Sequence, residues 1–212
     1  FTQRDLSNFR TSYEKQTIDF EHASHNPFDF FDYWFQNALD FYQSKKEVNA
    51  MTLSTSSMQG IVSSRMVLLK SFSENGFVFY TNYGSKKGIH LNENPNCSLL
   101  FYWEELQQQI RIEGWTDKVS PELSDTYFNS RPADSRLSAI VSPQSSVIPD
   151  KEFLNDELLK YQNIELKRPD YWGGFVVKPL VFEFWQGRPN RLHDRLQYRL
   201  VDSNWIKEVL AP

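Results

Sequence analysis

The sequence predicts an α+β fold that is mainly β, a barrel of short strands with helices around it. Between residues 50 and 119, short runs of β-branched and aromatic residues alternate with turn residues, as is typical of an antiparallel sheet or barrel. The dipeptide Asn75-Gly76 between two of these runs is a strong signal for a tight turn. Aromatic residues make up 16% of the chain, which favours a bulky core or a surface that binds rings.

The length and composition limit the classes of protein. A chain of 212 residues suits one domain, and we expect it over residues 26–212, after a flexible polar arm over residues 1–25. The formal net charge of −4 argues against nucleic acid as a partner. No apolar run is long enough to span a membrane. The single cysteine, Cys97, excludes an internal disulfide and favours a reducing compartment, which we expect to be the cytoplasm.

A first helix is predicted over residues 27–42. Asn26 is a preferred N-cap residue, and Pro27 suits the first helical position. Phe28, Phe31 and Trp34 follow at helical spacing and give the helix one broad apolar face. The expected strands are 50–55, 62–70, 76–81, 97–103, 108–119, 175–185, 195–201 and 204–210.

Further helices are predicted from the same start signals. Ser120-Pro121 begins a helix that reaches residue 130. Residues 88–94 form a short helix and residues 151–166 a charged one. The Ser- and Pro-rich segment 131–149 is expected to be a loop, and residues 169–174 a turn.

Clusters of cationic residues are the candidate functional sites, because the familiar catalytic signatures are absent from the sequence. The chain has no Gly-rich dinucleotide fingerprint, Walker loop, HExxH or GxSxG, and its four histidines are too scattered to suggest a metal site. Because the chain is acidic overall, any site for an anion must be local.

The first two clusters lie in the strand region. Arg65 and Lys70 bound one strand, and on a regular strand they face opposite sides. They serve two partners, or a bulge realigns them, or each ends a strand in solvent. In the second cluster, Lys86 and Lys87 follow a Gly-Ser turn at a helix start. Such a turn suits a phosphate, although similar turns are common on surfaces.

The third cluster combines Tyr127, Arg131 and Ser135. Tyr127 and Arg131 are four residues apart and share a helical face, and Ser135 follows in the next segment. A phenol, a guanidinium and a hydroxyl suit a second phosphate. An equally good alternative is that Arg131 caps the carbonyls of its own helix.

The segment FWQGRPNRLHDR, which ends at Arg195, carries the densest charge. As extended chain it places Arg191, His193 and Arg195 on one face, with Leu192 and Asp194 on the other. These donors suit a planar, anionic ligand that is rich in nitrogen. With separate phosphate sites elsewhere, the sequence predicts two phosphorylated ligands or one diphosphate.

Several motifs together resemble the pyridoxine 5′-phosphate oxidase family. They are FWQGxxxRLHDR, the Ser-Arg-Pro-x-x-Ser segment, Gln144-Ser145-Ser146, Trp172-Gly173-Gly174 and the terminal Leu210-Ala211-Pro212. The resemblance spans residues 10–212 and implies a split β-barrel that binds FMN, in a homodimer with two FMN sites at the subunit interface. It implies an FMN-dependent pyridoxal 5′-phosphate synthase that oxidises pyridoxine or pyridoxamine 5′-phosphate. The acceptor is O₂, and the products include hydrogen peroxide, with ammonia from the amine.

The resemblance also implies roles for individual residues. Arg191 and His193 are expected to be catalytic and, with Leu192, to contact the substrate ring, while Arg10 and Tyr13 are similar to a lid pair. The residues expected to hold the substrate phosphate are Lys70, Tyr127, Arg131 and Ser135. Those expected to contact FMN are Arg65, Met66, Val67, Leu68, Leu69, Lys70, Tyr80, Thr81, Lys86, Lys87, Gln109, Gln144, Ser145, Trp185 and Arg195.

Two other functions are compatible with the sequence. One is a flavin split-barrel reductase that acts on another substrate, and the other is a pyridoxal phosphate carrier without turnover. A carrier needs a phosphate site but not the pair over the ring, so the presence of Arg191 and His193 together with Arg131 argues against it. Departures from the family pattern, at Ala133, Ser138 and Val209, fall on none of the residues assigned to direct chemistry.

Overall fold

The computed structural model describes residues 12–161 and 164–212. The chain forms two compact units. The first contains the described residues up to Val48, together with Leu100–Ile112 and Val181–Pro212, and the second contains Asn49–Leu99 and Glu113–Leu180. Within the described residues, no helix has the length and apolar character needed to cross a membrane.

The described chain is mainly β, as predicted. Its helices are α1 (Pro27–Tyr42), α2 (Lys86–Glu93), α3 (Pro121–Ser130), α4 (Ala133–Val141) and α5 (Glu152–Leu159). Its strands are β1 (Ala50–Ser56), β2 (Val62–Leu68), β3 (Ser71–Ser73), β4 (Gly76–Asn82), β5 (Asn96–Trp103), β6 (Gln108–Lys118), β7 (Trp172–Gln186), β8 (Asp194–Val201) and β9 (Asn204–Val209). The strand order is β2-β1-β5-β6-β7-β4-β3, and β8 pairs with both β7 and β9.

The first unit has an aromatic core between α1 and the strands β7 and β8. The side chain of Asn26 accepts the backbone N–H of Phe28 over 2.9 Å and so caps α1, which spans the predicted residues. Phe30 and Trp34 both pack on Phe184, with ring centroids 4.6 Å and 5.4 Å away. All three rings are buried, and each contributes about 1.5–3 kcal/mol of transfer free energy. Burial of one face therefore holds this helix in place.

The second unit contains the strands that carry the cationic clusters. β1 and β2 pair antiparallel, with Leu53 opposite Arg65, and β4 pairs antiparallel with β7, with Tyr80 opposite Gly174. A Cβ atom at Gly174 would lie 2.9 Å from Cε1 of Tyr80. Glycine at this position therefore allows the Tyr80 ring to lie against β7.

The prediction of a loop over residues 131–149 is wrong in its first half, which contains α4. The backbone N–H of Arg136 bonds to the carbonyl of Pro132 over 3.0 Å. The proline that suggested a loop therefore precedes the helix, where it interrupts no helical hydrogen bond. The high serine content of this stretch concealed a short helix with only a weak apolar face.

The charged helix is shorter than predicted, since α5 ends at Leu159 and the described residues after it form no helix up to residue 166. The backbone N–H of Lys160 bonds to the carbonyl of Glu157 over 3.2 Å, and such i−3 bonds tighten the last turn of a helix. Pro169 lies a few residues further on and disfavours helical conformation in the residue before it.

Two other details of the strand region differ from the prediction. The predicted turn over residues 169–174 overlaps β7, because Gly173 and Gly174 pair with Thr81 and Tyr80 of β4. The three-residue strand β3 was not predicted, since so short a segment shows no alternation of polar and apolar residues.

Candidate functional site

A cavity in the second unit brings the first three cationic clusters together. It encloses about 510 Å³, and we call it the cationic cavity. Its lining residues are Arg65, Met66, Val67, Leu68, Lys70, Tyr80, Thr81, Lys87, Tyr127, Arg131, Pro132, Ser135, Gln144 and Trp172. Segments that are far apart in sequence, from Arg65 to Trp172, therefore form one site.

The cationic cavity concentrates positive charge. Arg65, Lys70, Lys87 and Arg131 line it, and none of the described residues that line it is acidic. Burial, and to a lesser extent the charge of Arg65, lower the pKa of Lys87 to about 8. Burial also lowers the pKa of Arg131. Like charges at such a site repel each other, so the cavity suits an anionic ligand such as a phosphate.

Lys87 is positioned by neutral oxygen atoms. The hydroxyl of Ser85 accepts the backbone N–H of Gly88 over 3.3 Å and caps α2, which places Lys87 in the first turn. The Lys87 Nζ donates to Oγ1 of Thr81 over 3.2 Å and to Oε1 of Gln144 over 3.0 Å. None of these acceptors carries a charge, so the ammonium group keeps its full charge for a ligand.

Arg65 and Lys70 line the same cavity, although strand alternation would place them on opposite faces. β2 ends at Leu68, and the backbone N–H of Leu69 bonds to the carbonyl of Asn49 over 2.9 Å. Leu69 is buried there. β2 thus ends before Lys70, and strand alternation does not apply between Lys70 and Arg65.

Three nearly parallel rings form one wall of the cationic cavity. Tyr80 stacks on Tyr127 with centroids 3.9 Å apart and on Trp172 with centroids 5.6 Å apart. The guanidinium of Arg131 lies 4.9 Å from the centroid of the Trp172 ring. Trp172 was not among the predicted site residues, although its Trp-Gly-Gly motif was a signal.

Arg131 keeps an unsatisfied donor in this cavity. Its Nη1 is buried and has no hydrogen-bond partner among the described residues, and within them its side chain makes no bond to the carbonyls of α3. The alternative that Arg131 caps its own helix is therefore not supported. A buried charged donor without an acceptor is costly, which is consistent with an acceptor supplied by a ligand.

A second group of predicted residues gathers in the first unit. Tyr13 lies edge-on to Trp185 and to His193, with ring centroids 5.8 Å away in each case. The centroids of Trp185 and His193 are 4.7 Å apart. A Cβ atom at Gly187 would lie 2.8 Å from Cγ of Tyr13, so glycine permits this approach.

His193 is held in one hydrogen-bonded state. Burial lowers its pKa, and the charge of Arg191 lowers it further, so the ring is neutral at neutral pH. Its Nδ1 accepts the backbone N–H of Arg188 over 3.1 Å. A neutral imidazole with Nδ1 as acceptor carries its hydrogen on Nε2. His193 therefore offers a donor at Nε2.

The extended conformation predicted for residues 191–195 is wrong at its start. Pro189–Arg191 form a single 3-10 turn in which Arg191 has a φ of 61°, and β8 begins only at Asp194. The proline fixes one turn dihedral, and the asparagine after it tolerates the left-handed region. Arg191 therefore does not alternate with His193 along a strand. Leu192 is 68% exposed.

Arg195 is fixed by a buried carboxylate. Glu183 on β7 is 2% exposed and accepts from Nε of Arg195 over 2.8 Å and from Nη2 of Arg111. The Nη1 of Arg195 donates to the carbonyl of Ala211 over 2.6 Å. Glu183 was not a predicted site residue; the available signal is an acidic residue between two phenylalanines in an apolar strand.

Some predicted residues lie outside these two groups. Leu69, Lys86 and Ser145 do not line the cationic cavity; Lys86 and Ser145 are exposed. Gln109 lies on β6 in the first unit. Arg10 falls outside the described residues.

A second cavity of about 460 Å³ in the second unit shares Gln144 with the first. Among the described residues that line it there is no lysine, arginine or histidine, whereas Glu157 contributes a negative charge. This cavity is therefore less suited to an anion than the cationic cavity.

Two family models match the chain. Residues 38–164 match the model described as "Pyridoxamine 5′-phosphate oxidase", and residues 172–212 match the "Pyridoxine 5′-phosphate oxidase C-terminal dimerisation region". The chain is 49% identical over 212 residues to the pyridoxine/pyridoxamine 5′-phosphate oxidase of Flavobacterium johnsoniae, covering 98% of this chain and 99% of that protein. It is 46% identical to the one of Christiangramia forsetii, covering 99% and 100%.

Solved structures show the same fold. PhzG from Burkholderia lata, in complex with tetrahydrophenazine-1-carboxylic acid, superposes with a TM-score of 0.88 at 27% identity, covering 95% of this chain and 100% of that one. A pyridoxamine 5′-phosphate oxidase-related, FMN-binding protein from Nostoc punctiforme has a TM-score of 0.73 at 17% identity, covering 86% and 97%. The predicted fold class, an FMN-binding split β-barrel with peripheral helices, is confirmed.

Proposed function

Because this chain belongs to the pyridoxamine 5′-phosphate oxidase family, we propose that it is an FMN-dependent enzyme that oxidises pyridoxine 5′-phosphate and pyridoxamine 5′-phosphate to pyridoxal 5′-phosphate. The observation that carries this function is the cationic cavity. Its lining combines four cations, no acidic residue among those described, and a wall of stacked rings. Two phosphorylated, planar ligands match that combination.

The donor set of the cationic cavity fits FMN. Cations at Arg65 and Lys87 suit the FMN phosphate, and the partly desolvated ammonium of Lys87 gains a counter-charge when a phosphate binds. When bound, FMN supplies the acceptor for a hydride from C4′ of the substrate. The other residues that we assign to FMN are Met66, Val67, Leu68, Leu69, Lys70, Tyr80, Thr81, Lys86, Gln109, Gln144, Ser145, Trp185 and Arg195.

The substrate phosphate is assigned to Tyr127, Arg131 and Ser135, with Lys70. All four line the cationic cavity, and Lys70 Nζ lies 6.0 Å from the centroid of the Tyr127 ring. The unpartnered Nη1 of Arg131 supports this assignment, because a phosphate oxygen satisfies a guanidinium donor with a charge-assisted bond.

Arg191 and His193 are assigned to the substrate ring, with Leu192 beside them. Because Nδ1 of His193 is engaged by the backbone N–H of Arg188, the ring acts through its Nε2 hydrogen. Arg191 is likewise a donor at all pH values of interest. The two side chains therefore orient the oxygen or nitrogen on C4′ and stabilise negative charge that develops there as its proton leaves.

The overall reaction balances with O₂ as the second substrate. The alcohol and O₂ give the aldehyde and hydrogen peroxide. The amine, O₂ and water give the aldehyde, ammonia and hydrogen peroxide. We propose that the enzyme works as a homodimer with FMN at the subunit interface, that it resides in the cytoplasm, and that Arg10 and Tyr13 close over the substrate from the arm.

An absorbance spectrum tests the proposed function directly. The purified protein, after incubation with FMN and gel filtration, is expected to retain a flavin band. Anaerobic addition of pyridoxine 5′-phosphate should bleach this band, and admission of air should restore it with release of hydrogen peroxide. Pyridoxine without its phosphate is the control and should bleach the band far more slowly. A protein that retains no FMN, or a flavin that the phosphorylated substrate does not reduce, contradicts the proposal.

Sedimentation tests the assembly. The holoprotein at micromolar concentration is expected to sediment as a dimer, since obligate dimers bury large apolar interfaces. A monomer that still carries FMN contradicts the proposed interface site.

A further inference from the structure

The side chain of Arg65 is hydrogen-bonded to the neighbouring strand β1. Its Nη1 donates to the backbone carbonyl of Leu53 over 3.0 Å and to Oγ1 of Thr55 over 2.8 Å. These two bonds use both hydrogens of that nitrogen. The Nε and Nη2 donors have no acceptor among the described residues, so they remain for a ligand of the cavity that Arg65 lines.

The Thr55 hydroxyl is itself oriented by a second buried group. Its Oγ1 lies 3.2 Å from Nδ1 of His90 on α2 and 3.5 Å from the carbonyl of Ser63. Nδ1 of His90 accepts a hydrogen bond from this hydroxyl in one tautomer and donates one to it in the other. Either bond can be made while the hydroxyl accepts from Arg65. The hydroxyl therefore cannot rotate away from Arg65 without losing a buried hydrogen bond.

Thr55 and His90 are polar side chains in the interior of the second unit. Thr55 is 2% exposed and His90 is 7% exposed. On β1, Thr55 continues the inward face of Met51 and Leu53. Burial of a polar side chain costs free energy unless its hydrogen bonds are made, so the bonds to Arg65 and His90 hold the Thr55 hydroxyl in one orientation.

The position that these bonds impose on Arg65 is electrostatically unfavourable in the absence of an anion. Arg65 is close enough to Lys87 to disfavour the protonated form of that amine. Lys87 is in turn held by Thr81 and Gln144. Neutral hydrogen bonds thus keep two cations together, which is the preorganisation that an anion site requires.

We propose that Thr55 and His90 are positioning residues that hold Arg65 in place to bind the phosphate of FMN. This inference rests on the proposed function, because it takes FMN as the ligand of Arg65. Neither Thr55 nor His90 lines the cationic cavity. Thr55 acts through Arg65, and His90 acts through Thr55.

The test is the FMN affinity of apoprotein variants, measured by quenching of flavin fluorescence. Thr55→Val keeps the shape of the side chain and removes the hydroxyl, and it should weaken FMN binding by about three- to tenfold. Thr116→Val is the matched control, since Thr116 is 6% exposed and its hydroxyl donates to the carbonyl of Pro95 over 3.3 Å. That variant should bind FMN like the parent.

A double-mutant cycle separates positioning from general destabilisation. In an Arg65→Met background, Thr55→Val should cause no further loss of FMN affinity, because the guanidinium that Thr55 positions is absent. His90→Leu should weaken binding in the parent but not in Thr55→Val. Full additivity with Arg65→Met, or parental affinity of Thr55→Val, overturns the proposal.

Two further comparisons cover the other outcomes. If Thr55→Val does not fold, Thr55→Ser and Thr55→Ala both lose the methyl group and differ only in the hydroxyl. The serine variant should then bind FMN more tightly than the alanine variant, and equal affinities overturn the proposal. A parent chain that binds no FMN contradicts the proposed function as well, whereas a parent that binds FMN with an unaffected variant contradicts only the role of Thr55.

Discussion

Nε of Arg195 donates to Oε1 of Glu183 over 2.8 Å, and the carboxylate that accepts this bond is 2% exposed. The hydrogen bond raises the pKa of Arg195. The other carboxylate oxygen accepts from Arg111 on β6. One buried negative charge thus joins two arginines from two other strands. Because each guanidinium is partly exposed and the carboxylate is not, the carboxylate depends on both partners for its solvation.

Glu183→Ala is expected to destabilise the protein, because it leaves two guanidinium groups without their shared counter-charge. Loss of the buried carboxylate removes both ion pairs, and urea unfolding measures the effect as a lower midpoint. Glu208→Ala is the control, since Glu208 pairs with Arg199 on the exposed side of β9 and its loss should hardly change the midpoint. Equal midpoints for Glu183→Ala and the parent would mean that the buried carboxylate is not needed for stability.

The affinity for FMN is expected to fall above pH 8. The pKa of Lys87 in the folded apoprotein is lowered from 10.5 to about 8, so deprotonation removes a cation from the cavity as the pH rises through that value. A bound phosphate favours the protonated form, and one linked proton lowers the affinity by up to about tenfold per pH unit. Fluorescence titrations between pH 7 and 10 measure this slope.

The same lowered pKa fixes the sign of a stability effect in the apoprotein. Between pH 8 and 10.5 the unfolded chain binds a proton at Lys87 that the folded chain does not, so the free energy of unfolding gains a contribution that rises with pH. Lys87→Met should abolish both pH effects. Lys178→Met, on an exposed lysine of the same unit, should keep both. If Lys87→Met keeps the parental pH profiles of FMN affinity and of the free energy of unfolding, the assignment of Lys87 to the phosphate is wrong.

Arg131→Ala is expected to raise KM far more than it lowers kcat. In the proposed function Arg131 binds the substrate phosphate, which does not react, so its loss would weaken the ground state and the transition state equally. Loss of one charge-assisted hydrogen bond corresponds to about ten- to a hundredfold in KM. Lys178→Ala, on an exposed lysine of the same unit that does not line the cationic cavity, should leave KM unchanged. A fall in kcat with an unchanged KM would place Arg131 at the reacting centre instead.

Local signals in the sequence predicted most of the elements. Asn26 and Ser120 cap α1 and α3 as expected, because an N-cap depends on residues within one turn. The segment before α4 shows the limit of such signals, since Pro132 fits a loop and a helix start equally well. The hydroxyl of Tyr171 donates to the carbonyl of Ile140 in α4, a contact that the sequence of this segment alone does not predict.

The candidate site shows the same division between local and distant information. Most residues that line the cationic cavity were predicted as site residues, but Pro132 and Trp172 were not, and the segments that carry the lining are far apart in the sequence. Thr55 and Glu183 bond to residues on neighbouring strands. The register between two strands cannot be predicted from the sequence of either strand alone. The conformation of Arg191 was missed because alternation was assumed where Pro189 begins a turn.

Replacement of both Arg191 and His193 by alanine is expected to slow the reduction of the flavin by about 10²-fold or more. In the proposed mechanism these side chains orient the group on C4′ and stabilise the charge that its departing proton leaves, and each such effect is worth at least about 10²-fold. The flavin content should stay near that of the parent, because Gln109, Trp185 and Arg195 are the residues of this unit that we assign to FMN. Anaerobic stopped-flow absorbance with pyridoxine 5′-phosphate isolates this step from the reaction with O₂.

Acidification of the parent should reproduce part of this loss. The pKa of His193 is lowered from 6.5, so the ring is protonated only as the pH falls below that value. Protonation removes the acceptor at Nδ1 and breaks the bond from the backbone N–H of Arg188.

The control for the double variant is Arg199→Ala, an exposed arginine on β8, which should reduce its flavin at the parental rate. If the double variant also did so, Arg191 and His193 would be structural residues, and the chemistry would have to be assigned elsewhere.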